Sequence, residues 1–471
     1  MSTDIQTSVI VNPFNQNMLS ANVNITAVLP MRFSYHVQGK TPDSAFTYEN
    51  DEYTLNPVIP VIGLYANAEN TIIIECFFSD GSHETLSVIA DTTGQDYGDT
   101  PLTVDFIIND EEIASQTLYN GWLVTCYYTA YDKNGDLRMA FADAWDNNNL
   151  KSDGSAIYPG FDIFATSGET YAQTLKQMNL LGEARQTFQA PAGNGFHHDI
   201  TFGPDGNMFC LMTLLENQTA EQRQQAAIYK YDVATGEALW SRNYSSLFDN
   251  QDVCIDAQPN DIHFNSLAFS SQVNQLILNN RSTSTIYGIN YENGDIEWTI
   301  DNPNYSLVAE SVNLQPINAD SFIYPNGEHA VYPTTNAKYA NYMTENRLAI
   351  TLFNNKAALF DDGTENDKKM EDPIPDEYYE APFDSQCLVY GIDLTARTVE
   401  LLDVFDIAGQ RSNITSEVHE VADYYSIMYG VDSNFFIIDT NNTVAVECYA
   451  VYPALTYRGH IFSYDELRQL I

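Results

Sequence analysis

The chain has 471 residues, of which 64 are acidic and 20 basic, for a formal net charge of −44; 44% of residues are hydrophobic and 18% charged. That length supports a large core divided into about two domains, and that charge argues against nucleic acid or an anionic membrane as a partner, because phosphate is repelled over most of the surface. No window is long and apolar enough for a transmembrane helix, and an aromatic content of 13%, with 31 tyrosines, favours strands over helices.

The segment Met1–Phe14 has neither a basic n-region nor an apolar h-region, so no signal peptide is visible. A cytoplasmic protein is expected if Met1 is native, and a periplasmic or secreted one if an export signal has been removed. Cys76, Cys126, Cys210, Cys254, Cys387 and Cys448 are far apart and lie in or beside apolar runs, which favours buried thiols over a zinc site.

Short strands are predicted at Ser8–Val11, Ala21–Leu29, Arg32–Val37, Thr71–Phe78, Leu86–Ala90 and Val104–Ile107, with a further one opening at Val58. Turns rich in Gly, Asn, Asp and Pro separate them, the rhythm of a β-sandwich. A boundary is expected near Asn109–Glu112, giving domains 1–109 and 110–471.

Beyond that boundary a hairpin pattern recurs. Tyr229–Trp240 (YKYDVATGEALW) and Tyr287–Trp298 (YGINYENGDIEW) match down to the closing Trp, Tyr131–Asp136 is an earlier instance, and Tyr390–Arg397 and Ile437–Val444 are variants without the Gly. Repeats of this kind predict the outer strands of propeller blades. Asp199–Leu211 and Asn265–Leu278 would supply inner strands. The expected class is all-β, a six-bladed β-propeller behind an N-terminal β-sandwich, with a pair of sandwiches as the alternative. Helices are predicted only at Thr170–Leu181 and Ser463–Leu470, and Asp361–Pro382 reads as an acidic surface loop.

A propeller gathers residues remote in sequence around one end of its axis. His197-His198-Asp199, His263-Phe-Asn265 and His329 each stand at a turn-to-strand junction. His263 and Asn265 have the same-face spacing of a strand, and Arg281 arrives on the next one. Imidazole, carboxamide and guanidinium together suit a small anion; a buried polar cluster closing a β-turn is the other reading. A metal site from His197, His198, His263 and His329 is a third, disfavoured by the Arg281 charge. His36, His83 and His460 have no polar constellation around them and read as structural, and His419 is ambiguous. Anion chemistry, with one histidine as nucleophile and the others as a clamp, fits the set best.

These residues resemble the bacterial arylsulfate sulfotransferases, which use no nucleotide sulfate donor, over nearly the full length of the chain. Val11–Phe14 and Pro60–Asn70 are similar to that family's N-terminal phrases, and Asp132–Arg138 to its D-x-x-G-x-x-R-W run, with Met139 in place of Trp. The more specific phrases are His197–Asp199, Asp261–Ser266 and Asn279–Thr283, and Phe360–Gly363 resembles an F-D-N-G loop. The resemblance implies a sandwich joined to a six-bladed propeller and a ping-pong sulfuryl transfer from an aryl sulfate to a phenolic acceptor, with no cofactor and no metal. It implies His329 as the sulfated nucleophile, His263, Asn265 and Arg281 as the sulfuryl clamp, and one of His197 and His198 as a further member, only one facing inward if the strand alternates. Ser426 is the candidate for a small hydroxyl residue on a late blade, and a homodimer is an expectation of the family. The family's closely spaced cysteine pair is not found. A non-catalytic binding propeller and an aryl sulfate hydrolase are the rival functions.

Overall fold

The computed structural model describes residues 5–41, 45–125, 129–141, 156–158, 162–166, 173–214, 224–248, 262–303, 312–356, 384–451 and 456–471. The expected loop Asp361–Pro382, the Phe360–Gly363 phrase, Asp261, Cys126 and Cys254 lie outside them.

The protein is nearly all-β. Its N-terminal region packs a three-stranded sheet of Gln6–Val11, Ala21–Thr26 and Val58–Val61 with a four-stranded sheet ordered Thr47–Thr54, Met31–Val37, Glu69–Phe78, His83–Asp91. Alternation drives this arrangement. Met31, Phe33, Tyr35 and Val37 are buried, the residues between them are not, and Ile72, Ile74, Cys76 and Phe78 repeat the pattern. Thr47–Thr54 was not expected as a strand. Its sequence TYENDEYT is polar because it is an edge strand with little to bury, held by its ladder to Met31–Val37. The strand predicted at 104–107 forms at Phe106–Ile108 and leaves the sandwich, pairing with Val444–Cys448 so that Ile108 faces Val446.

Among the described residues, six four- or five-stranded sheets follow, essentially in chain order. The repeated hairpins are the outer strand pairs of these sheets, Ala227–Tyr231 with Ala238–Asn243 and Thr285–Asn290 with Ile296–Asp301. Each turn is closed by an N–H of a residue with positive φ: Gly236 (φ 74°) to Asp232 O and Gly294 (φ 75°) to Asn290 O, both at 2.8 Å. In the variants, Arg397 (φ 55°) and Asn442 (φ 64°) take that left-handed position without glycine. Trp298 lies across Gly288, where a Cβ would stand 2.0 Å from the indole. Of the helix expected over Thr170–Leu181, residues 170–172 lie outside the described residues, and the rest is instead a strand at Thr174–Met178 running into a turn. Asn179 Oδ1 accepts from the Leu181 and Glu183 N–H groups at 3.0 and 2.9 Å, and this Asx turn competes directly with a helix. Near the end of the chain a helix forms at Tyr464–Gln469, started by a capping box between Ser463 and Glu466.

The strand Gly459–Ser463 pairs with Gly121–Thr125, so the chain returns to the sheet it left at Ala140. The first strands of successive sheets are then stitched around the axis by side chains. Leu267 N–H donates to Asp199 Oδ2 (2.9 Å), Val331 N–H to Ser266 Oγ (3.1 Å), Thr415 N–H to His329 Nε2 (3.3 Å) and Gly459 N–H to Glu417 Oε2 (3.2 Å). Arg458 completes the circuit back to Asp199 Oδ1 at 3.0 Å.

The phrase Asp132–Arg138 serves the junction with the sandwich. Arg138 is fully buried, donates to Asp132 Oδ2 at 2.6 Å and to Gly63 O at 2.9 and 2.5 Å, and stacks on Tyr65 at 3.9 Å. Arg138→Ala would strand the Asp132 carboxylate in the core, so a loss of about 3–5 kcal/mol is expected in chemical denaturation. A midpoint unchanged from the parent would contradict this.

Candidate active site

Three successive inner strands carry a β-bulge at the same place. The register slips between His197 and Ile200, between Phe264 and Ser266, and between His329 and Tyr332, and two of the slips contain a left-handed residue, His198 (φ 49°) and Ala330 (φ 52°). A bulge breaks the two-residue alternation and re-aims side chains. The expectation that only one of His197 and His198 faces inward rested on unbroken alternation. Here the two rings meet, Nδ1 to Nδ1 at 2.9 Å, and His198 Nε2 reaches His263 Nε2 at 3.0 Å. His198 therefore stands between His197 and His263, and Tyr457 lies edge-on to His198 and to His329 at centroid distances of 5.6 and 5.8 Å.

His329 is held from both sides of its ring. Asn355 Nδ2 donates to Ser412 O (2.6 Å) and Thr415 O (3.0 Å), which turns Asn355 Oδ1 onto His329 Nδ1 at 2.7 Å. Nδ1 must then carry the proton, which leaves the Nε2 lone pair to accept from Thr415 N–H. Burial, then the nearby Arg281 charge, pushes this imidazole well below its ordinary range against the Asn355 bond. Burial and the His198 ring do the same to His197. The result is a neutral ring with a defined nucleophilic nitrogen.

Arg281 opens a short turn, Arg281–Thr283, directly after the strand Gln275–Asn280. It is buried and donates to Asn413 O at 3.4 Å. His263 N–H is fixed by Asn280 Oδ1 at 3.1 Å. Asn265 accepts from Asn279 Nδ2 at 2.6 Å and donates to Glu328 O at 2.8 Å, so its amide fastens the strand that bears His329. The structure does not bring Ser426 to this group. Its hydroxyl lies on the second strand of its sheet and donates to His419 O at 3.3 Å, and the hydroxyl residue beside His329 is Thr415. Thr415 stands at a turn-to-strand junction like the histidines, in Ser412-Asn-Ile-Thr-Ser416, and that signal would have found it. Asn355, Tyr457 and Arg458 were also missed, and no repeat marks them.

A second polar layer lies on two other strands, Glu417–Val421 and Gly459–Ser463. His460 is not the isolated residue that the sequence suggested: its Nδ1 is 3.0 Å from Glu417 Oε2, and its ring stacks on His419 at 4.3 Å and 26°. His83 likewise meets Glu75, at 2.5 Å near the surface. Among the described residues, the donor atoms of Glu417, His419 and His460 fall within 4.8 Å of one another. Near-parallel stacked rings aim their lone pairs past each other, and Arg458 adds positive charge to the same group. Burial raises the Glu417 carboxyl, but His460, Arg458 and His419 outweigh it and bring it down to about 2. The cluster is accordingly an ion-paired network around a carboxylate.

Nitrogen NMR of the labelled protein is expected to show His329 neutral, with its proton on Nδ1, as pH falls through the ordinary imidazole value of about 6.5. Stability should fall over the same range. The folded state refuses protons at His197, His329 and His419 (the last depressed to about 4 by burial and by His460) that the unfolded chain accepts. A denaturation midpoint that stays level between about pH 7 and 4 would contradict the assignment of neutral rings.

A profile of the family described as Arylsulfotransferase (ASST) matches residues 99–450, and one described as Arylsulfotransferase Ig-like domain matches residues 8–93. No curated protein sequence matches the chain. Among solved structures, it is similar to a catalytically inactive virginiamycin B lyase from Staphylococcus aureus at 10% identity, covering 88% of this chain and 99% of that one, with a TM-score of 0.33. AztD from Citrobacter koseri matches at 8% identity over 92% and 98%, with a TM-score of 0.29. The β-propeller domain of Myceliophteria thermophila Cps50 matches at 8% identity over 64% and 87%, with a TM-score of 0.31.

Proposed function

Because the chain belongs to the arylsulfotransferase family, we propose that it moves a sulfuryl group from an aryl sulfate to a phenol by a ping-pong route through His329, with no nucleotide donor. The observation that carries this reading is the neutral His329, its Nδ1–H fixed on Asn355, its Nε2 lone pair left to accept the Thr415 N–H, and its ring within reach of the charge of the buried Arg281.

In the first half-reaction Nε2 gives up its long bond from the Thr415 N–H and attacks sulfur, an N–S bond forms, and the S–O bond to the aryl group breaks. The phenolate leaves with the electron pair and takes a proton from an imidazolium of the His198–His263 pair. As the His329 ring gains positive charge, its Nδ1–H bond to Asn355 Oδ1 strengthens, which favours the transition state over the ground state. In the second half-reaction the acceptor phenol returns its proton to that pair. Its oxygen attacks sulfur, the N–S bond breaks, and neutral His329 is restored. Such transfers depend on positioning and on cations facing the equatorial oxygens. Arg281 and His263 are assigned that part, together with the amide hydrogen of Asn265 not engaged with Glu328. A phenol, with a pKa of about 10 by analogy with tyrosine, is a workable leaving group where an alkyl alcohol is not.

The test is a chromogenic aryl sulfate with and without a phenolic acceptor. Product release that depends on the phenol supports transfer, and equal release in its absence means hydrolysis. His329→Ala should abolish release from the donor while the fold persists, and full activity in that variant would exclude the nucleophile. Donor without acceptor should add the mass of one sulfuryl group to His329, read by intact and peptide mass spectrometry. Arg281→Ala should cost about 2.7–4 kcal/mol of transition-state stabilisation in kcat/KM, the scale of removing an oxyanion-hole donor.

A further inference from the structure

The mechanism above leaves Glu328 unused, although it precedes His329 in the chain and its setting is built in detail. The residue is fully buried, and neither carboxyl oxygen makes a hydrogen bond of ordinary geometry. Its backbone is pinned on both sides. Gly327 N–H donates to Ser284 Oγ at 3.0 Å, and the Glu328 carbonyl accepts the Asn265 and Asn279 amides at 2.8 Å each. Ser284 closes the turn that Arg281 opens, its N–H donating to Arg281 O at 3.2 Å. These bonds staple the backbone of the Glu328 segment to the Arg281 turn, and the Arg281 charge acts on the Glu328 carboxyl.

Among the described residues, the titratable groups coupled to Glu328 are Arg281 in the turn and Tyr390 on the strand Gln386–Asp393, with Tyr324 acting on Tyr390 in turn, and His329 follows Glu328 in the chain. Burial raises the Tyr390 phenol well above its usual range, and the Glu328 charge adds to that, so Tyr390 stays neutral. His329 is neutral as well. Burial lifts the Glu328 carboxyl up to about 8, with its own backbone N–H and the Arg281 charge opposing. Burial of a carboxyl whose oxygens find no side-chain partner favours the uncharged acid at neutral pH.

We propose that Glu328 is a protonated positioning residue: while neutral it lets Arg281 engage the oxyanion of a sulfate ester, and once ionised it draws that guanidinium into an internal ion pair and weakens the anion site. The proposal rests on the sulfuryl reading for the identity of the ligand. Linkage makes it reciprocal, since a bound anion favours the neutral acid and its arrival above the carboxyl's titration draws in a proton.

The probe is inorganic sulfate, with its affinity measured by calorimetry for the parent and for Glu328→Gln, which is close in shape and neutral at every pH. Affinity of the parent is expected to fall by about tenfold per pH unit above roughly pH 8, while that of Glu328→Gln stays level. Parallel curves, or a Glu328→Gln variant that binds more weakly than the parent at every pH, would overturn the proposal. A ligand-free check uses the same pair. The folded parent holds a proton that the unfolded chain releases above about pH 4.5, so the melting temperature of Glu328→Gln should exceed the parent's by a margin that widens up to about pH 8. A margin independent of pH would also overturn it. Neither measurement needs turnover, so an enzyme that binds sulfate in this way yet transfers nothing to phenol would refute the sulfuryl reading and leave the role of Glu328 standing.

Discussion

Near the axis of the ring, strands from neighbouring sheets approach side by side without a shared ladder, and their backbone groups must still find partners away from water. The protein meets this constraint with polar side chains. Asp199 accepts the Leu267 N–H, Ser266 that of Val331, Glu417 that of Gly459, and Asn265 and Asn279 hold the Glu328 carbonyl. Asp199 and Glu417 are thus structural first, and Arg458 balances Asp199. This stitching fixes where the histidines can stand, and the bulges then turn them toward one another.

The site is also an electrostatic contradiction resolved by distance. A chain with a net charge of −44 presents the neutral imidazoles of His197 and His329 and two buried arginines, Arg281 and Arg458, at its centre. Surface carboxylates act through water and salt and are screened within about 10 Å at ordinary ionic strength, whereas buried charges are not. An anion bound at this centre would respond to the few groups beside it, and small changes in protonation there would outweigh the much larger surface charge.

Much of the architecture was legible because its signals are local. The Asp/Asn-to-Gly turn closed by Trp marks outer hairpins wherever it occurs, and the turn needs only four or five residues to form. The three histidine junctions were legible for the same reason. Other features depended on partners distant in sequence. Phe106–Ile108 is a strand only because Val444–Cys448 lies beside it; Thr47–Thr54 buries little and so left no apolar pattern; Thr174–Met178 looked helical until the Asx turn at Asn179 set its end. At the site, Ser426 rested on the family resemblance alone, and Thr415 meets His329 through a backbone N–H, a contact that side-chain identity does not encode. Asn355 and Tyr457 come from loops without a repeat, and the choice between His197 and His198 turned on bulges that a count of alternating residues cannot foresee.

The pairing of Gly459–Ser463 with Gly121–Thr125 bears on how the molecule comes into being. It joins segments almost at opposite ends of the sequence, and contacts of that separation form late because the loop they close is long. Tyr457 and Arg458 immediately precede this strand, so the aromatic wall between His198 and His329 and the partner of Asp199 arrive only with ring closure. A nascent chain with His197, His198, His263 and His329 already synthesised still lacks an assembled centre. Catalytic competence is in this sense a readout of completed topology, acquired in one late step.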